Sequence, residues 1–412
     1  MIIFKAYKFR LYPTREQEEF LCRSFGATRW VYNYFLNYRD TKFKNEGVKE
    51  NYFTMAKKLT SLKKEEGTSW LKEINAQSLQ CAISNLDSAY IKFFKGLSKF
   101  PKFKKRNDKQ SFEIPQKWKL KDNTIKIPKL KTPLKFVKHR DIEGRICSIT
   151  ISKTKINKYY ISFCCEVENK CKQTVGGEVG IDLGIKDLII CSDGTKYENH
   201  KFLKRNLKKL KTLNRHLSRK KKGSKRREKA RLKIARLHEK ITNSRNDLYD
   251  KISNDLTNKH SLICLESLNV KGMMKNHHLA GSIQDCAWNS LVSKIEYKAK
   301  WKGVTVVKID QFYPSSKTCS VCNWKKNDLT LKEREWVCPN CGAHHDRDLN
   351  AAKNILAWGK QMNTLSDGTF DYERGDEVKL KRIDNSVRNV SSVKRLKDGN
   401  HVAEAARSSS ER

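Results

Sequence analysis

Apolar and polar positions alternate along KAYKFRLYP, which predicts a strand, and directly after it the period becomes helical. In TREQEEFLCRSFGATRWVYNYFLNYRDTKF, Phe20, Leu21, Phe25, Trp30, Val31, Phe35 and Leu36 recur at the spacing that lines one helix face. These aromatics read as core in preference to a base-stacking surface. Thr14 with Gln17 gives the helix a capping-box start. The same period predicts helices in NYFTMAKKLTSLKKEEG and INAQSLQCAISNLDSAYIKFFKGL. From SFEIPQKWKLKDNTIKIPKLKTPLKFVKHR to SITISKTKINKYYISFCCEVE the alternation returns, broken by Asp-Asn, Pro and Asn-Lys turns, so this stretch predicts antiparallel β structure. The helices therefore interrupt a β unit begun by the first strand, and QTVGG reads as a linker.

Beyond the linker the texture changes. EVGIDLGIKDLIICSDGTKY predicts strand, turn, strand and a Ser-Asp-Gly hairpin. Leu203, Leu207, Leu210, Leu213 and Leu217, then Leu232, Leu237 and Ile241, keep a helical period beneath a dense charge run. SLICLESL is a short apolar run suited to a strand buried on both faces, and VTVVKI is another after the helical WNSLVSKIEYKAKW. The stretch beyond residue 360 is polar, ends in SSSER and reads as disordered.

Charge adds a partner to this picture. The 412 residues carry a formal net charge of +42, far more than solubility needs, and such an excess calls for a polyanion, foremost nucleic acid. Residues 201 to 240 hold 19 Lys or Arg against two Glu, which points to contact with phosphates. The first residues carry charges at positions 5, 8 and 10, unlike a signal peptide, and no run of 18 apolar residues occurs, so a membrane partner is not expected. The 13 cysteines therefore belong in a reducing, cytoplasmic setting.

Only four of them share a metal-type spacing. Cys319, Cys322, Cys338 and Cys341 form CxxC-x15-CxxC, a pattern whose two turns close a four-thiolate shell around one structural Zn²⁺. His344 and His345 are not needed as ligands. Three acidic residues stand out elsewhere. In EVGIDLGI, Asp182 shares a strand face with Gly180 and Gly184, which would clear space for a metal and a sugar-phosphate backbone. Glu266 closes the apolar strand LICLE, where a glutamate is costly unless paired or bound to a cation. In DRDLNAAKNIL, Asp348, Ala351, Ala352 and Ile355 share one helix face, whereas Asp346 precedes it and suits the N-cap, so Asp348 is read as catalytic and Asp346 as supporting. Clustered carboxylates stay ionised only if cations neutralise them, and two Mg²⁺ ions would suit hydrolysis of a phosphodiester.

These residues also carry a resemblance. The stretches KAYKFRLYPTREQEEFL, RWVYNYFL, GIDLGIKDL, LESLNVKGMMKNHHLAGSIQDCAWNSLVSKIEYKAKWKG, YPSSKTCSVC and CPNCGAHHDRDLNAAKNIL resemble the TnpB (OrfB) family of insertion-sequence proteins, relatives of type V CRISPR nucleases, up to about residue 358. The resemblance implies an α/β multidomain chain: a β-barrel-like wedge domain (1–13 and 111–172) with an inserted helical recognition domain (14–110), then a linker (173–177). It further implies an RNase H-like (RuvC) nuclease domain (178–311), an inserted zinc ribbon that binds target nucleic acid (312–344), a final nuclease helix (345–358) and a disordered tail (359–412). Asp182, Glu266 and Asp348 match the family's RuvC triad, and the four cysteines its zinc ligands. The implied activity is cleavage of target DNA directed by a guide RNA from the transposon end, beside a short adjacent motif, by one chain with one RNA, nucleoid-associated when on DNA. The rivals are a non-cleaving RNA-guided regulator and a transposase or recombinase accessory protein. The intact triad speaks against the first. The Asp-Glu-Asp order, the long N-terminal region and the missing His-hydrophobic-His motif speak against the second.

Overall fold

The computed structural model describes residues 2–169, 176–330 and 333–366. The expected linker lies largely outside these residues, as do positions 367–412 of the expected tail.

Strand β1 (Ile2–Leu11) leads into α1 (Arg15–Glu46), where Thr14 and Gln17 complete the capping box and Gly47, at φ 66°, ends the helix in the left-handed region that favours glycine. Then come α2 (Tyr52–Leu62), a 3₁₀ segment (Glu66–Glu73) and α3 (Ala76–Phe94). The second half of α1 packs on them through Val31, Phe35, Leu59, Leu71, Leu79 and Ile83. Strands β2 (Gln110–Ile114), β3 (Lys119–Lys121), β4 (Thr124–Lys126), β5 (Leu134–Val137), β6 (Arg145–Lys153) and β7 (Tyr159–Glu168) join β1 in a seven-stranded sheet ordered β2-β6-β7-β1-β5-β4-β3. β1 pairs antiparallel with β7 along its whole length, from Ile2 opposite Glu168 to Leu11 opposite Tyr159. The first turns of α1 supply Phe20, Leu21 and Phe25 to the core of this sheet, so one helix anchors both the helical and the β part.

The second sheet begins with β8 (Gly177–Asp182), β9 (Asp187–Cys191) and β10 (Lys196–Glu198), a meander followed by the long hairpin of α4 (Phe202–Ser218) and α5 (Lys225–Lys259). Then follow β11 (His260–Glu266), α6 (Val270–Met273), α7 (His277–Cys286), α8 (Trp288–Lys302) and β12 (Thr305–Ile309). A small ribbon with β13 (Glu335–Val337) and β14 (His344–Asp346) leads into α9 (Arg347–Ser366). The sheet order is β10-β9-β8-β11-β12; β8 and β9 run antiparallel, and β11 runs parallel to both β8 and β12. Alternate residues of β11 feed two cores. Ile263 and Leu265 pack with Tyr249, Ile252, Leu291 and Ile295 beneath α5 and α8, whereas Leu262 and Cys264 pack with Ile309 and Ile355 beneath α9.

The final helix differs from its expected bounds. It starts at Arg347 and runs to Ser366, so residues 359–366 are helical and not part of a disordered tail. Packing outweighs their polarity: a side chain at Gly359 would strike Cys264, and Lys360 pairs with Glu178 at the foot of β8. Among the described residues, no helix is long and apolar enough to cross a membrane.

Candidate carboxylate site and cysteine cluster

Asp182 is the last residue of β8, and Glu266 the last of the neighbouring parallel strand β11. Ile181 lies opposite Leu265, so the two acids reach the same carboxyl edge of the sheet, the edge at which α/β folds bind ligands. The N–H of Leu183 donates to Glu266 Oε1 at 3.1 Å, joining the two strand ends directly. Asp348 comes from the first turn of α9, which lies against β8 on the face that Asp182 shares.

Burial, then the charges of Glu266 and Asp348, push the Asp182 carboxyl well above the usual carboxylate range, against a smaller pull from Arg347 and Arg334. Burial pushes the Glu266 carboxyl up to about 7, partly offset by the Leu183 bond. Both carboxyls are thus held where their ionised forms are costly. Among the described residues, only the four cysteines form a group of three or more metal-type side chains with donor atoms all within 4.8 Å of one another, so the carboxylates are more open than a single-ion cage. Asp348 instead meets the Arg334 guanidinium at 3.2 Å.

Asp346 does something different. Its Oδ1 accepts from the N–H groups of Asp348 and Leu349 at 3.0 and 3.1 Å, capping α9, while Oδ2 meets Lys196 at 3.1 Å. Against the upward push of partial burial, those N–H bonds and Lys196 hold its carboxyl below the usual range. The glycine reading needs correction. A Cβ on Gly180 would press into the carbonyl of Ala352 and the backbone of Leu356, and one on Gly184 would reach the Asp187 carbonyl at 2.5 Å. Gly180 therefore lets α9 close on β8, and Gly184 serves a tight turn; neither clears room for substrate.

Arg334 and Lys196 escaped the sequence reading, because each is one cation among many there. Only the β13–β14 pairing, with Glu335 opposite Asp346, folds Arg334 back onto the start of α9.

In the ribbon, Cys319 and Cys341 stand 3.7 Å apart and Cys322 and Cys338 3.6 Å. A tetrahedral zinc–thiolate shell has S–S edges of about 3.8 Å, so the four sulfurs fit that ion. His345 is buried, its Nε2 lies 3.1 Å from Cys319 Sγ, and its ring packs on Trp336 at 4.7 Å. His344 is exposed beside Glu335.

Comparison with known proteins places this architecture. Residues 162–277 match the OrfB/IS605 family, described as "Probable transposase". Residues 288–355 match a "Cas12f1-like, TNB domain", and residues 1–47 a "Helix-turn-helix domain", though here they form one strand and one unbroken helix. A relative from Streptomyces pristinaespiralis, named "Putative RNA-guided DNA endonuclease", is 38% identical over 368 residues, spanning 88% of this chain and 91% of its own. The chain belongs to the TnpB (OrfB) family. Another TnpB relative, "Putative RNA-guided DNA endonuclease InsQ" of Escherichia coli (strain K12), is 33% identical across 86% of this chain and 92% of its own. The fold is similar to that in "Cryo-EM structure of the Cas12f1-sgRNA-target DNA complex", with a TM-score of 0.54 and 18% identity over 86% of this chain and 99% of that one.

Proposed function

We propose that this TnpB-family chain is a DNA endonuclease directed by a guide RNA, with Asp182, Glu266 and Asp348 as its hydrolytic site. One observation supports the reading: Asp182 and Glu266, 84 positions apart, end neighbouring parallel strands at one sheet edge, and burial together with the charges of Glu266 and Asp348 makes the ionised form of Asp182 costly. The sheet, an antiparallel meander followed by two parallel strands with its middle strand first, supports an RNase H-like, RuvC-type reading. On this reading the seven-stranded sheet with its helical insertion would be the wedge and recognition domains.

The donor set is all hard carboxylate oxygen, which favours Mg²⁺ over softer ions, and a pair of such ions is the reading proposed. Bound there, the ions would lower the pKa of an attacking water and stabilise the leaving oxygen of a phosphodiester. The protein's own residues do the rest. Asp182 and Glu266 hold negative charge on rigid strand ends, Asp346 fixes the first turn of α9 so that Asp348 keeps its place, and Arg334, partly exposed beside Asp348, can meet a phosphate oxygen. The four cysteines would hold Zn²⁺ as a closed structural site that folds the ribbon.

The test is to purify the protein with its RNA and assay plasmid cleavage in magnesium. Asp182→Ala, Glu266→Ala and Asp348→Ala are expected to lose cutting while keeping RNA and zinc. A protein that binds RNA and target DNA but never cuts, or a triad variant that still cuts, would overturn the assignment in favour of a non-cleaving regulator or a different site.

A further inference from the structure

Helix α4, FLKRNLKKLKTLNRHLS, carries Lys204, Arg205, Lys208, Lys209, Lys211 and Arg215 and no acid. Lys204 and Lys208, Arg205 and Lys209, and Lys211 and Arg215 stand four residues apart and repel, and the first pair of cations sits at the positive end of the helix dipole. Among the described residues, the ion pairs of this region, Lys158–Glu239, Arg231–Glu228 and Arg245–Asp285, involve none of the six. Burial is confined to one face, where Leu210 packs with Leu237 and Ile241 of α5 and Phe202, Leu203 and Leu213 are partly covered, and Lys201 at the N-cap makes no side-chain cap bond. A helix so composed needs an anchor from outside.

Asp285, near the end of α7, provides it. Its carboxylate accepts from the N–H groups of Leu203 and Lys204 at 2.9 and 3.0 Å and meets the Arg245 guanidinium of α5 at 3.1 Å, and its side chain is 4% exposed. The neighbouring Cys286 extends the knot. Its carbonyl accepts from the Tyr249 hydroxyl of α5, and its sulfur accepts from Asn199 Nδ2 at 3.3 Å. Asn199 also donates to the carbonyl of Ile185, in the loop that follows Asp182, at 2.9 Å. Both helices of the cationic hairpin are thereby tied to the loop behind the carboxylate site.

We propose that Asp285 is a positioning residue that aims the cationic surface of α4 at a nucleic-acid phosphodiester backbone and sets that surface against the carboxylate edge. It rests on the reading of the chain as a nucleic-acid enzyme. A negative charge inside a basic hairpin does not oppose binding of a polyanion here, because it is buried: Asp285 faces the helix start and Arg245, while the six cations are exposed.

The experiment compares the full-length parent with Asp285→Asn, which keeps an oxygen acceptor but loses the charge, and Asp285→Ala. Binding of fluorescein-labelled poly-uridine RNA and of a poly-thymidine DNA is measured across a salt series, with amide hydrogen exchange and thermal unfolding alongside. Asp285→Ala is expected to speed exchange at residues 203–206 about fivefold, as loss of a helix cap does. The salt slope for the polymer that α4 holds should shrink by about 1 to 2 as phosphate contacts are lost. Asp285→Asn should fall between, with its unfolding midpoint near that of the parent. Weakening confined to RNA identifies the backbone as RNA, weakening confined to DNA as DNA, and equal weakening as a surface shared by both. The proposal is overturned if slope and affinity stay at the parent's values while α4 exchanges faster, or if Asp285→Asn loses binding only together with its global fold. A parent that binds neither polymer overturns the nucleic-acid reading itself.

Discussion

Glu266→Gln separates the electrostatic cost of the carboxylate edge from its use. Burial raises the Glu266 carboxyl from an ordinary 4.5 to about 7. A group raised on folding stabilises fully below its unfolded value and loses that contribution as pH rises through the folded one, so this cost appears between about pH 4.5 and 7. At pH 8 the ionised Glu266 costs about 3 kcal/mol relative to the unfolded chain, and at pH 5 under about 1 kcal/mol. Glutamine keeps the acceptor for the Leu183 N–H and removes the charge. In buffer without added magnesium, Glu266→Gln should therefore melt about 6 °C above the parent at pH 8, a gap that closes toward pH 5. Magnesium should stabilise the parent and not the variant, and the variant should not cut DNA. A melting difference that is flat with pH would refute the burial argument, and equal stabilisation of both proteins by magnesium would refute Glu266 as a ligand.

Further outcomes follow from neighbouring residues. Asp346→Ala loses two cap bonds, worth about 1 kcal/mol, and should cut slowly, whereas Asp348→Ala should not cut; the reverse ranking in a plasmid assay would exchange their roles. Gly180→Ala drives a methyl into Ala352, and should cost about 3 kcal/mol and most cleavage although every carboxylate remains; a fully stable, active variant would show that α9 does not need that close approach. The parent should carry one zinc per chain by metal analysis and Cys338→Ser none, because the shell contributes on the order of 10 kcal/mol to a ribbon with little core. Hydrogen exchange should then rise across the ribbon and not in α1 to α3; zinc retained in Cys338→Ser would exclude this shell.

Much of the molecule was legible along the chain. The capping box at Thr14, the alternation in β1 and β8, the apolar β11 and the CxxC pairs are set by neighbours within a few residues, and such local preferences survive into the fold. That Asp346 caps α9 was legible for the same reason, since a cap is set by its own helix. Other features depend on residues distant in sequence. Gly180 shows as a gap in an alternating strand, but that the gap is filled by α9 depends on a helix more than 160 residues later. Polarity suggested disorder from 359, yet burial of Gly359 against Cys264 carries α9 to Ser366. Arg334 and Asp285 are ordinary charges in the sequence. Folding decides which charges lose water and which partner each then meets, and in a chain this basic that selection separates the few cations and acids that position the site from the many that remain solvated.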